Sequence, residues 1–250
     1  MSIPNENAIA PLREGGVHTI EDLRGPAGRL EALLNPGRLL AEAPVSVLMC
    51  HPHPLLGGTL HNKVVYHAMK VFTDLGLPVL RFNFRGAGRS EGVHDHGQGE
   101  QDDARAAINW LAARYQRPVL AAGFSFGAHM VLRAGWDDPR VPALVSLGTP
   151  IAAAGRMYNY DFLQRCRKPF LSMSGAEDPI SPRAEVEAAL GPIPVAKRFE
   201  WIEGGDHFFL GHLPAMQSAL RLWVEQTILS PEAQSMLAEA AAAGNTLVGS

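Results

Sequence analysis

The chain has 250 residues, of which 46% are hydrophobic and 19% charged, with a formal net charge of −3. That balance allows a sizeable core and argues against a nucleic-acid or anionic-membrane partner; no apolar stretch approaches the ~18 residues of a membrane helix. The two cysteines, Cys50 and Cys166, do not make a disulfide framework.

The start MSIPNENAIAPLREGG lacks the basic and then apolar order of a secretory signal, so a cytoplasmic location is expected. No linker composition or repeat interrupts the chain, and one domain over residues 1–250 is expected, with about the first 12 and the last 10 residues loosely held. Residues 17–23 and 28–34 flank the turn-forming Gly25-Pro26 and read as an antiparallel hairpin at a sheet edge. Apolar runs at 45–50, 78–84, 119–124, 141–147, 170–174 and 198–202 read as buried strands. Helical spacing separates them. Val65, Ala68, Met69, Phe72 and Leu75 share one face, and Ala104, Ala107, Ile108, Leu111 and Tyr115 another. Further helices start at Ser125, at Pro182 and at Leu213-Pro214, and a short alanine-rich helical stretch follows Pro231. Buried strands alternating with helices predict an α/β fold, a mostly parallel sheet covered on both faces.

Within this pattern, Gly123-Phe124-Ser125-Phe126-Gly127 breaks a strand and opens a helix. A G-x-S-x-G at such a junction is a nucleophile elbow, in which the glycines remove side chains that would collide at a very sharp turn. Ser125 is therefore the candidate nucleophile, against the plainer reading of a serine in an ordinary turn. A serine hydroxyl needs a base in reach, and the base needs an orienting acid. In PFLSMSGAEDPISP the turn after a strand carries Asp178, with Glu177 beside it as the competitor. In RFEWIEGGDHFFLGH the turn after the last strand carries His207, while Asp206 is expected to bond loop backbone. The order serine, acid, histidine matches the elbow fold.

An oxyanion also needs two N–H donors. Phe126, at the helix start, offers one. The loop His51-Pro52-His53-Pro54-Leu55 after the first long strand should offer the other. Proline has no N–H, so His53 is the nearest donor and Leu55 the second choice. The His53 imidazole reads equally as a substrate contact or as loop packing. Cys50 reads as core filling rather than a nucleophile. Arg85-Gly86-Ala87-Gly88-Arg89-Ser90 superficially suggests a phosphate turn but lacks the ending of a P-loop, and reads as a structural tight turn. His94-Asp95-His96 lacks a third ligand in a convincing frame, so no metal is expected.

Taken together, GFSFG, AEDPI, GGDHFF and RFNFRGAGRSEG resemble the α/β-hydrolase superfamily over about residues 45–224. HPHPLLGGTLHNKVV narrows the resemblance to compact bacterial serine hydrolases and carboxylesterases near the dienelactone-hydrolase-like branch, although dienelactone hydrolases use cysteine where this chain has Ser125. The resemblance implies Ser125 as nucleophile, Asp178 as acid, His207 as base and His53 as oxyanion donor, with Pro52 where the family usually has glycine. Where many superfamily members carry a lid, residues 149–168 leave room for only a short cap with Met157, Tyr158, Tyr160 and Phe162. The expectation is a cofactor-free hydrolase of small or short-chain carboxylic esters working through an acyl-enzyme. Its substrate contacts are expected at His53, Leu55, Tyr158 and Phe208. A thioesterase, lactonase or peptidase could use the same three residues, and a non-catalytic binding protein could keep the fold. The sequence gives no oligomeric state.

Overall fold

Strands buried on both faces must be hydrophobic along their whole length, and the chain meets that demand at its centre. The computed structural model describes residues 16–39, 42–153, 155–235 and 237. The loosely held ends expected at about 1–12 and 241–250 lie outside these residues, as does most of the alanine-rich stretch.

The N-terminal edge is built from β1 (His18–Ile20), β2 (Arg24–Gly25), β3 (Gly28–Arg29) and β4 (Ala32–Asn35); β1 pairs antiparallel with β4, and β2 with β3. The expected hairpin is thus present, but its ladder is interrupted, and a Leu30 N–H bond to the Leu23 carbonyl bridges the gap. The body follows as β5 (Ser46–Cys50), α1 (Lys63–Asp74), β6 (Val79–Phe82), α2 (Gln98–Tyr115), β7 (Val119–Phe124), α3 (Phe126–Gly135) and β8 (Leu144–Leu147). A small hairpin, β9 (Ala152–Ala153) and β10 (Arg156–Met157), precedes β11 (Phe170–Gly175), α4 (Arg183–Leu190), β12 (Lys197–Ile202) and α5 (Leu213–Thr227). Among the described residues the main sheet has eight strands in the order β1-β4-β6-β5-β7-β8-β11-β12. It is parallel from β6 to β12.

Alternation along β5 divides the core. Leu48 and Cys50 join the cluster under α2 and α3, whereas Val47 and Met49 join the one under α1 and α5. Phe72 of α1 is wholly buried, worth about 1.5–3 kcal/mol by apolar transfer alone. The Asn62 carboxamide caps α1 by accepting from Val64 N and Val65 N at 2.9 and 3.4 Å. β8 starts later than its apolar run because Pro142 cannot donate to a ladder.

The 85–90 segment is the expected structural turn. The Ser90 hydroxyl donates to the Asn83 carbonyl at 2.5 Å and accepts from Glu31 N at 2.9 Å. The Arg85 guanidinium makes a two-pronged contact with wholly buried Asp103, at 2.9 and 2.7 Å. Those bonds tie the turn to α2 and to the N-terminal edge.

Candidate active site

The sharp turn between β7 and α3 forces its middle residue out of ordinary backbone space. Ser125 has φ 54° and ψ −121°, and its N–H is held by the Leu147 carbonyl at 2.8 Å. A Cβ on Gly123 would meet the Gly127 carbonyl and a Cβ on Gly127 the Cys50 and His51 backbone, so the expected reason for both glycines holds. Ser125 is buried to 7% exposure at the N-terminus of α3, where the first-turn N–H groups lack intrahelical partners.

β7, β11 and β12 run parallel, so their carboxyl ends reach the same rim. Past β11, Asp178 is buried, with Oδ1 accepting from Ile180 N at 2.8 Å and Ser181 N at 3.1 Å. Those bonds leave Oδ2 for His207 Nδ1, at 2.7 Å. On its other side, His207 Nε2 is 2.9 Å from Ser125 Oγ. A hydroxyl, an imidazole and a carboxylate therefore form one hydrogen-bonded chain with the geometry that proton transfer requires. Asp206, as expected, serves the loop: its Oδ1 accepts from Phe208 N and Leu210 N at 3.0 and 2.8 Å. Glu177 donates its N–H to Gly205 and takes no part in the chain.

The HPHP loop closes the other side. The N–H groups of Leu56, Gly57 and Gly58 are engaged with the carbonyls of His53, Pro54 and His53. With two prolines beside them, His53 and Leu55 are the remaining candidate N–H donors of this loop, the two named from sequence. Buried His51 fixes the loop from below, its Nδ1 at 2.7 Å from the Pro52 carbonyl and its Nε2 accepting from Phe84 N at 3.0 Å. Burial pushes its imidazole down to about 4, so it stays neutral and keeps both bonds near neutral pH.

Leu55 is two-thirds exposed and Phe208 half exposed; the Phe208 ring packs against Phe124 and His207 at 5.8 and 5.3 Å. Tyr158, expected as a substrate contact, packs beneath the β9–β10 hairpin. It is buried, its ring edge-on to His129 at 5.0 Å, with the Arg156 guanidinium over it at 5.1 Å. Tyr160, also buried, donates to the Pro150 carbonyl at 2.7 Å, so of the cap residues Met157 is the strongly exposed one. Cys50 is buried at a strand end, and burial pushes its thiol well up, away from nucleophilic use. Among the described residues no group of three His, Cys, Asp or Glu side chains could hold a metal ion.

Gly148 escaped the sequence reading. Its φ is +55°, and a Cβ there would lie 3.0 Å from His207 Cε1 and 2.9 Å from Phe124 Cε2. A lone glycine after an apolar run gives no such signal. Glu100, wholly buried, also went unnoticed: it accepts from Asp95 N and Gly97 N at 2.7 and 2.6 Å and fixes the 94–97 loop beside Phe126.

A family model described as an alpha/beta hydrolase domain matches residues 48–221. The chain is 34% identical over 192 residues to the uncharacterized protein RP471 of Rickettsia prowazekii (strain Madrid E), a match covering 74% of this chain and 79% of that protein. An alpha-beta serine hydrolase homologue from Coxiella burnetii has a similar structure, with a TM-score of 0.75 and 34% identity over 85% of this chain and 99% of that one. XC6422 from Xanthomonas campestris, an α/β serine hydrolase without lid, gives a TM-score of 0.76 and 33% identity over 86% and 97% of the two chains. No helix among the described residues is long and apolar enough to cross a membrane. With its elbow, its parallel sheet and a family match over most of its length, the chain belongs to the α/β-hydrolase family.

Proposed function

We propose that the protein is a serine hydrolase of small or short-chain carboxylic esters that works through an acyl-enzyme. Ser125 Oγ attacks the ester carbonyl carbon while His207 Nε2 takes its proton. Asp178 holds His207 in the Nδ1–H tautomer and stabilises the imidazolium. The Phe126 N–H, with that of His53 or Leu55, receives the oxyanion. Collapse breaks the bond to the alkoxide, which leaves with the proton from His207. Water then repeats the sequence on the acyl group and frees the acid.

The single observation that carries this reading is the continuous chain Ser125 Oγ–His207 Nε2–His207 Nδ1–Asp178, at 2.9 and 2.7 Å. The short β9–β10 strap, folded against α3 through Tyr158 and His129, supports small substrates.

The test is labelling by a fluorophosphonate probe, with Ser125→Ala as control, followed by kcat/KM on aryl esters of increasing chain length, thioesters, lactones and peptides. Labelling confined to the wild type and a C4 ester preferred over C12 are expected. A folded protein that neither labels nor turns over any ester refutes the reading, and a preference for C12 refutes its short-chain part.

A further inference from the structure

The three residues of the hydrogen-bonded chain leave a second cluster unused, on the oxyanion side of Ser125. The His53 ring packs on Phe126 at 4.9 Å and on His94 at 4.9 Å, and His94 packs on Phe126 at 5.8 Å and on His96 at 5.3 Å. β10 brings Arg156 to the same place. Its guanidinium donates to the His96 carbonyl, and a Cβ on Gly97 would lie 2.7 Å from it. Among the described residues, no carboxylate forms an ion pair with Arg156, whose plane rests on Tyr158.

Two carboxylates lie nearby, and both are engaged. Asp95 Oδ2 accepts from Gly99 N at 3.1 Å. Glu100 holds two loop N–H groups and lies 2.8 Å from His94 Nδ1, without the alignment of a hydrogen bond. The His53 Nδ1 is buried and makes no hydrogen bond. The loop is also held under strain: His96 has φ 49°, one of four non-glycine residues with positive φ among the described residues, and Ser125 is another. Strain of this kind collects at functional sites. Here a fully buried carboxylate maintains it, although burying Glu100 without this loop would be costly.

We infer that His53, His94 and Arg156 form a subsite for an anionic group, carboxylate or phosphate, on the substrate whose ester carbonyl Ser125 attacks. The inference rests on the ester-hydrolase reading. His53 links the two sites, because its backbone is a candidate oxyanion donor and its imidazole faces the cluster. Burial, with the neighbouring His94 and Arg156 charges, outweighs the opposing Glu100 carboxylate and holds the His53 imidazole below its ordinary range; an added anion would shift that balance upward. The planar fork of arginine suits the flat two-oxygen face of a carboxylate, and imidazole N–H groups can complete the shell of either anion.

The experiment compares kcat/KM for the 4-nitrophenyl monoester of glutaric acid with that for the neutral 4-nitrophenyl pentanoate, in wild type and in Arg156→Gln and Arg156→Lys. The wild type is expected to favour the charged ester by about tenfold or more, as a charge-assisted contact would give. Arg156→Gln should bring the ratio to about one, and Arg156→Lys should keep part of it. A wild-type ratio of one or less, or one unchanged in Arg156→Gln, overturns the subsite.

Binding of glutarate and of inorganic phosphate to Ser125→Ala, by calorimetry, tells the two anions apart. It also separates the two proposals. If Ser125 neither labels nor turns over either ester, the ester reading fails and the subsite is judged on binding alone. Binding of either anion that Arg156→Gln abolishes then upholds it, and binding of neither overturns it.

Discussion

Lowering the pH from 7 to 5 should weaken the fold through two buried imidazoles that do not bind protons there. His51 is wholly buried and His129 nearly so, and burial pushes each down to about 4, against about 6.5 in the unfolded chain. Between those values the unfolded state binds more protons than the native one. Their stabilisation is therefore complete above about 6.5 and is lost as pH falls toward 4. From pH 7 to 5 the linkage comes to about 2 kcal/mol for each histidine, roughly 4 kcal/mol together. Unfolded carboxyl groups titrate near 4 and contribute mainly below that window. Urea unfolding followed by circular dichroism at the two pH values measures the loss. In His51→Gln, whose amide can serve the Pro52 and Phe84 partners, about 2 kcal/mol of the pH dependence should vanish whatever the variant's stability at pH 7. An equal pH dependence in wild type and variant, or a native His51 ring titrating near 6.5 by NMR, would refute the reasoning.

Asp103→Asn should destabilise the protein by about 3–5 kcal/mol, because the largely buried Arg85 guanidinium loses its counter-charge; a urea-derived loss below about 1 kcal/mol would show that the pair is dispensable. Gly148→Ala should lower kcat/KM by about tenfold to a hundredfold by crowding His207, and wild-type turnover in a folded variant would contradict that placement.

Much of this molecule could be read locally. The 119–124 strand has its predicted ends because its apolar run meets Arg117-Pro118 on one side and the elbow on the other. Ser125, Asp178 and His207 were legible because each follows a strand in a glycine- or proline-marked turn, and parallel strands align such turns by geometry. The rest depends on contacts between distant residues. The contact of Tyr158 with His129, a turn along α3 from Ser125, joins residues 29 apart and has no local sign. Arg156 and Glu100 meet the 94–97 loop from β10 and α2, and neither has a motif that announces the meeting. Gly148 is one glycine among 25, and its purpose emerges once His207 has a position.

The order of the strands has a further consequence. β7 and β11, which position Ser125 and Asp178, are separated by β8 alone, and β12, which leads to His207, is the edge strand beside β11, while β1 and β4 occupy the opposite margin. Fraying of that margin leaves the reactive groups in register, whereas any slip between β7 and β11 parts them at once. Turnover should therefore act as a gauge of sheet integrity, insensitive to loosening of the first strands and extinguished in a single step when the β7–β12 side of the sheet gives way.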